Sequence, residues 1–401
     1  MSIKRGVVTE VTSTSARPIS VTSTLPIALV LKSSLVPTGI YGFESPKKGL
    51  EYFKQYLFKK DTDGTYAKDD KGNLIPNDDL GNLKKYLEIG EDMFALIVPT
   101  VISVCEVLED EEEDIQKANF INAIKVLKQS PSLTGYKPDV VAIGYDDFDM
   151  DVNNAVDNIC KSLKARTFIN LYATTNSEAI LRRESFGSNR VTVAKCSFEL
   201  FNTTTAKREE YDSGIILAFL RCSIDGSSKT GYAQSISNRV LNISGVSSPS
   251  EFYAGALDET DPLTEKQIMS FIHYKGFRTW EYSTTSEDQI WQDARRVRIF
   301  DLAAQAVIDG IFFAVDKDIS ALSSAKDSLR GFMNGLVGDD VMAGFSVELD
   351  TDRTTKERIT AGEFYFIIDA QEMPSPRLIH VTFNRVDRYS DVIYKLINGE
   401  E

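Results

Sequence analysis

Residues 271–320 read FIHYKGFRTWEYSTTSEDQIWQDARRVRIFDLAAQAVIDGIFFAVDKDIS. The first fifteen gather one of the chain's two histidines and one of its two tryptophans beside a basic Lys-Gly-x-Arg turn, a concentration that suggests a catalytic pocket. The residues that follow point elsewhere. Ile290, Ala294, Val297, Phe300, Ala303, Val307, Ile311 and Ala314 recur at steps of three or four, which predicts one long helix over 287–314 with an apolar stripe along its length. A second helix is expected over 318–335, then strands over 341–349, 363–369 and 378–386. Within the turn, Gly276 permits a tight reversal, Phe277 and Trp280 are expected to pack, and Arg278 to pair with a nearby carboxylate. His273 and His380 both read as structural; His380 lies on one side of the alternating run LIHVTFNRV.

Upstream the pattern changes. Residues 25–31, LPIALVL, form a continuous apolar run of the kind covered on both faces of a sheet. A helical pattern at 47–59 leads to DTDGTYAKDDKGNLIPNDDLGN, 61–82, a surface loop or small hairpin. Its Asp61-x-Asp63-Gly64 start lacks the third acidic ligand and the closing Glu of a calcium loop. Phe94–Val104 is a further buried-strand candidate, and the acidic run 109–114, EDEEED, suits the positive end of a helix over 115–128. Strands at Val140–Gly144, Thr167–Thr174 and Val191–Phe201 then alternate with helices at 152–165 and 176–184. The fold class is therefore α/β with some parallel pairing, α+β over the whole chain.

Both ends look built to leave the domain. Residues 7–24, VVTEVTSTSARPISVTST, favour extended backbone without large side chains to anchor them, with Val7, Val8 and Val11 at the front. Residues 390–397 form an apolar-rich stretch, expected to be extended, with Val392, Ile393 and Leu396 as its contact residues.

Chemistry is sparse. A net charge of −14 and a pI near 4.9 argue against a free-standing nucleic-acid binder, because phosphate binding needs a concentrated positive surface. No apolar run has the length of a membrane span, and the N-terminus lacks the apolar stretch of a signal peptide, which suggests a cytoplasmic product. Cys105, Cys160, Cys196 and Cys222 fit no C-x-x-C pattern and read as buried free thiols. Two histidines exclude a multi-histidine metal centre, and a Ser-His-Asp triad would have to recruit one of them. Residues 226–230, GSSKT, lack the glycine before the lysine of a phosphate loop. No catalytic, cofactor or metal residue is assigned, and no cofactor is expected. The alternative is an α/β enzyme using a carboxylate or divalent-metal site within 25–265.

With the turn Gly276-Phe277-Arg278-x-Trp280, the basic cluster Arg295, Arg296 and Arg298, the closing Ala314-Val315-Asp316-Lys317, AGEFYFIID at 361–369 and the Arg-Val-Asp-Arg-Tyr end at 385–389, the region 270–390 resembles the tail sheath proteins of contractile bacteriophages, tailocins and other contractile injection systems. LPIALVLKSS is similar to the family's first core strand. The resemblance implies a structural protein, not an enzyme. It implies an N-terminal linking arm (1–24), an outer α/β domain (25–265), an inner sheath domain (266–388) whose sheet is completed by arms from neighbouring subunits, and a C-terminal linking arm (389–401). It further implies hexameric rings stacked around an inner tail tube protein, with baseplate and tail terminator proteins at the ends and no nucleic acid or membrane contacted. Assembly would take place in the host bacterial cytoplasm and the product would reside in a virion tail or tailocin. The second C-terminal helix would line the lumen, with Lys326 and Arg330, one turn apart, meeting acidic groups of the tube.

Overall fold

The computed structural model describes residues 19–21, 25–77, 81–108, 110–202 and 207–398. The arm positions Val7, Val8 and Val11 lie outside them. The strands are β1 (Ile27–Ser33), β2 (Gly39–Phe43), β3 (Thr100–Glu106), β4 (Val140–Ile143), β5 (Arg166–Asn170), β6 (Val191–Ala194), β7 (Phe198–Asn202), β8 (Lys207–Tyr211), β9 (Val240–Leu241), β10 (Gly245–Val246), β11 (Ile268–His273), β12 (Phe277–Trp280), β13 (Met342–Leu349) and β14 (Phe366–Glu372). The helices are α1 (Pro46–Leu57), α2 (Leu83–Asp92), α3 (Glu113–Val126), α4 (Ser130–Thr134), α5 (Met150–Leu163), α6 (Asn176–Arg183), α7 (Ser213–Gly226), α8 (Asp261–Glu265), α9 (Ala294–Ile311), α10 (Ile319–Gly338), α11 (Lys356–Thr360) and α12 (Ser390–Asn398).

Nine strands form the central sheet in the order β2-β3-β1-β4-β5-β6-β11-β12-β9. Strands β3, β1, β4, β5, β6 and β11 run parallel, as alternating strands and helices require. The continuous apolar run of β1 is explained by its two faces. Ile27, Leu29 and Leu31 enter a core shared with α1, α2 and α7, whereas Ala28 and Val30 enter a second core with α3, α5 and α6. Because successive side chains point to opposite faces, this strand is apolar at every position from Ile27 to Leu31, and its polar residues, Lys32 and Ser33, come only at its C-terminal end. The boundary expected at 265/266 falls inside this sheet, since Ile268 and Met269 pair with Val193 and Ala194.

Helix α7 is almost wholly buried, with Ile215 to Leu220 in the first core. At roughly 1.5–3 kcal/mol per buried large apolar side chain, it is a major stabilising element of that layer. Other elements move from their expected places for local reasons. The strand expected from Phe94 begins only at Thr100, because Ala95 takes a left-handed conformation (φ 45°) and Leu96 N–H bonds back to Gly90, closing the end of α2. The run Val191–Phe201 splits into β6 in the large sheet and β7 in a three-stranded sheet ordered β10-β7-β8. Helix α9 starts at Ala294, where Asp293 caps it by accepting from the N–H groups of Arg295 (2.9 Å) and Arg296 (3.3 Å).

A third core gathers Ile299, Leu302, Ala303 and Ala306 of α9, Leu329, Phe332, Met333 and Leu336 of α10, and Met342 and Val347 of β13. Strands β13 and β14 form a separate antiparallel pair. Among the described residues the strand expected at 378–386 has no ladder partner: residues 373–386 carry no regular structure. Residues 390–398 are helical, not extended. Val392, Ile393, Leu396 and Ile397 fall on one helical face at i, i+1, i+4 and i+5, and without a strand partner the segment takes the conformation that pairs its backbone groups locally.

One ionic cluster joins the cores. Arg298 of α9, fully buried, reaches both Asp225 of α7 and Asp139, which precedes β4. Arg221, also fully buried, bonds Asp225 (2.8 Å) and the carbonyls of Gly231 (2.7 Å) and Gln234 (2.6 Å). One turn along α9, Asp301 meets Arg190 and Arg166 (3.6 Å), which stand at the starts of β6 and β5. Helix α9 is thus fastened across the N-terminal ends of three parallel strands. Burial alone lowers the basicity of Arg298, but Asp139 and Asp225 outweigh it and hold the guanidinium more firmly protonated than usual. Removing one member of such a buried cluster leaves the others uncompensated. Arg298→Met is therefore expected to lower the free energy of unfolding by about 3–5 kcal/mol in urea titrations; a loss below about 1 kcal/mol would show that the cluster does not hold the layers together.

Candidate functional site

In an open α/β sheet the ligand crevice lies beyond the carboxyl ends of the strands, where the strand order reverses. Here that point lies between β1 and β4, because the chain passes from β1 to β3 on one side and returns to β4 on the other. The crevice is filled by the chain itself. Asn82, at the start of α2, accepts from Lys32 N–H at the end of β1 (2.8 Å) and donates to the Gly144 carbonyl beyond β4 (2.7 Å). The fit leaves no slack: a Cβ on Gly81 would stand 2.0 Å from the Lys32 carbonyl oxygen, and one on Gly144 would stand 2.6 Å from the Asn82 amide nitrogen.

Beside this plug lies a buried polar cluster. Asp212 caps α7 by accepting from Ile215 N–H (3.0 Å), and its own N–H donates to the Tyr86 hydroxyl (2.9 Å). The Tyr172 hydroxyl lies 2.6 Å from Asp212 and 2.8 Å from the Tyr145 carbonyl. Burial pushes the Asp212 carboxyl up to about 6, only partly opposed by the Tyr172 hydroxyl and the capping N–H groups. The Tyr172 hydroxyl has a single hydrogen to share between its two acceptors, Asp212 and the Tyr145 carbonyl. The void here is about 10 Å³, room for about one water and no substrate. All four cysteines are buried, and burial pushes the thiols up, to about 11 for Cys105 and Cys196, away from nucleophilic use. Among the described residues no group of three or more His, Cys, Asp or Glu could hold a metal ion.

The 271–285 stretch is structural in its geometry. Gly276 has φ 106° in the three-residue turn between β11 and β12. Phe277 meets His273 edge to face at 4.9 Å between ring centroids, and Trp280 meets Phe252 at 5.1 Å. Arg278 takes no carboxylate; it donates to the carbonyls of Tyr274 (2.9 Å) and Asn238 (3.1 Å) and to the Asn238 side chain (3.1 Å). The turn spends its carbonyls on the guanidinium because Asn238 sits directly opposite, itself in a left-handed conformation (φ 57°). On α10, Lys326 is half-buried and Arg330 exposed, with one Arg330 nitrogen 3.4 Å from the Val347 carbonyl of β13.

What the fold leaves open is at its other end. Within the described residues β13 and β14 pair only with each other, so each presents an unpaired edge. From Met373 onward the chain is largely exposed, held at its root by Arg377, which lies 3.5 Å from Glu281 and 3.7 Å from Asp293. Beyond that root Leu378, Ile379, Val381 and Phe383 are exposed, Phe383 by 94%, and α12 buries none of its residues. A monomer in water does not retain such a row of apolar side chains and free ladder groups without a use for it.

No family model matches the chain. A protein named prophage major tail sheath protein, from Pseudomonas aeruginosa strain UCBPP-PA14, is 28% identical over 229 residues, 56% of this chain and 58% of that protein. This chain is thus similar in sequence to a tail sheath protein. The tail sheath protein of Escherichia phage P2 is 25% identical over 286 residues, 69% of this chain and 70% of that protein. The match to the Pseudomonas sheath protein therefore spans less than two thirds of its length. Among solved structures, the helical sheath of the anti-feeding prophage in its contracted state superposes with a TM-score of 0.67 at 16% identity, over 96% of this chain and 100% of that one. The sheath of an extracellular contractile injection system, the PVC sheath complex in its contracted state, gives 0.67 at 14% identity over 97% and 99%. The fold of those two sheath chains thus covers nearly the whole chain.

The Asp212 cluster yields a pH test. A carboxyl that titrates near 3.8 in the unfolded chain and near 6 in the fold binds its proton more tightly when folded. Its stabilising contribution is complete below about pH 4 and is lost as pH rises through about 6, a change on the order of 3 kcal/mol. Asp212→Asn is expected to abolish this decline in stability between pH 4 and 7, measured by urea unfolding at each pH. An unchanged profile in the variant would show that Asp212 is not its source.

Proposed function

We propose that this chain is the structural subunit of a contractile tail sheath, polymerising as stacked hexameric rings around an inner tail tube and contracting to drive that tube through a target envelope. The observation that carries this reading is its similarity to named tail sheath proteins of a Pseudomonas prophage and of phage P2. The open hairpin and the apolar strap supply its physical basis. Strands contributed by neighbours, from the arms at 1–24 and 389–401, complete the β13–β14 sheet. Main-chain hydrogen bonds suit such a link because they do not depend on how side chains elsewhere repack. At roughly 1 kcal/mol net per bond, a six-residue strand contributes several kcal/mol per neighbour.

In this reading α12 is the form the C-terminal arm takes in a lone subunit, and it unwinds to pair. Contraction needs no bound nucleotide, since a bistable packing releases interface energy once triggered. The filled switch-point crevice agrees with this and disfavours the α/β enzyme alternative. The remaining partners are baseplate and terminator proteins at the two ends of the polymer, with neither nucleic acid nor membrane contacted. The particle is a virion tail or tailocin, assembled in the host bacterial cytoplasm.

Electron microscopy of the purified protein is expected to show rings or tubes; a compact monomer under all assembly conditions would overturn the proposal. Deleting residues 1–20 is expected to leave a folded, soluble protein that no longer polymerises, and normal tubes from that variant would refute the arm's role. Lys326 and Arg330 are assigned to the tube-facing side of α10. Reversing both to Glu is expected to weaken co-assembly with the tube protein and to remove part of its salt sensitivity, read by co-sedimentation from low to high salt. Unaltered co-assembly would withdraw that assignment.

A further inference from the structure

Three described residues ahead of β1 are anchored on the body of the protein. Ile19 and Val21 pack against the third core, and Leu25 is buried within it. Ile19, Val21 and Leu25 therefore lie against the α9–α10 layer before the chain enters the central sheet. Where Ile19 meets α9 the helix has a gap. A Cβ on Gly310 would stand 2.4 Å from Ile19 Cγ1, 2.7 Å from Cδ1 and 3.0 Å from Cγ2. Three atoms of one side chain thus occupy the space that any residue other than glycine would fill.

Nothing in the backbone at position 310 requires glycine. It lies in the last turn of α9 with no positive φ, and the helical run continues through a 3-10 turn at Phe312–Ala314. Inside a helical run glycine is a poorer helix former than alanine. Its neighbours Val307 and Ile311 carry side chains that pack on the same core. The glycine is therefore explained by what lies on it. Ile19 is also stiff, because its branched Cβ restricts χ1, so a methyl group at 310 could not be accommodated by a small rotation.

We propose that Gly310 is a positioning residue: a notch in α9 that receives Ile19 and fixes the point at which the N-terminal arm leaves the subunit. This deepens the sheath reading and rests on it for the arm's purpose. An extended arm finds a neighbour's hairpin only if its root is held in place, because a loose root spreads the arm over many directions and lowers its effective concentration at the one correct edge. Ile19, which opens the described part of the chain, meets α9 at Gly310 in the helix's last turn.

The test uses the full-length protein and four forms: wild type, Gly310→Ala, Ile19→Ala and the double variant. Gly310→Ala places a good helix former in the helix, so the body stays folded, with a melting temperature equal to or above that of wild type. Hydrogen exchange of residues 19–25 is expected to quicken by tenfold or more, and tube formation, followed by pelleting and electron microscopy, to be lost or strongly reduced. The double variant, with room restored by the smaller residue at 19, is expected to regain most of the assembly. The notch is overturned if Gly310→Ala assembles with unchanged exchange at 19–25, or if the double variant assembles no better than Gly310→Ala alone. Should wild type itself form neither rings nor tubes, the sheath reading fails, while the exchange rates still decide whether Gly310 holds Ile19.

Discussion

Everything between the two ends of this molecule depends on the two carboxylates that face Arg298. Asp225 comes from the helix buried against one face of the central sheet, Asp139 from the threshold of β4, and the arginine from the first turns of α9. A guanidinium fully withdrawn from water is tolerable only where carboxylates and carbonyls surround it. That requirement leaves α9 one way to lie. The same helix carries the third core on its other side, so the hairpin and strap inherit their position from an interaction made far from them. Ion pairs of this kind contribute little net stability compared with apolar packing, but they discriminate strongly between the right and the wrong docking of two layers.

The central sheet resembles those that hold nucleotides, yet the place where such sheets open is stapled shut. Asn82 joins the ends of β1 and β4 by two hydrogen bonds, with glycines on either side allowing the close approach. A crevice used this way gains rigidity at the cost of any ligand. A sheet closed this way has no loose seam at its centre.

Much of this was legible in the sequence because it depended on local pattern. The unbroken apolar run at 25–31 gave away a strand covered on both faces, and the step of three to four from Ala294 gave away α9. Helix α7 escaped notice because Ile215–Leu220 is apolar on every side, so the stripe that marks a surface helix is missing. The Asn82 staple was invisible for another reason: its partners lie 50 and 62 residues away. Arg278 was expected beside a carboxylate and found carbonyls, since sequence shows charge but not which backbone turn will present its oxygens. The stretch 378–386 has the alternation of a strand and no partner to be a strand with. Composition records a preference for pairing, whereas pairing itself needs a second edge in reach. The same holds for Val392, Ile393 and Leu396, which suit a strand by residue type and a helix by spacing.

The hairpin of β13 and β14 is half of a structure. If its missing strands come from other copies, then part of each subunit's folding free energy belongs to the lattice and appears only on incorporation. The free subunit is then the least stable form the chain adopts in its working life. A damaged copy that cannot accept a neighbour's strand is left in that form, exposed to proteases, while its intact siblings are protected by one another. Quality control is then built into growth, because the polymer stabilises only what it can knit.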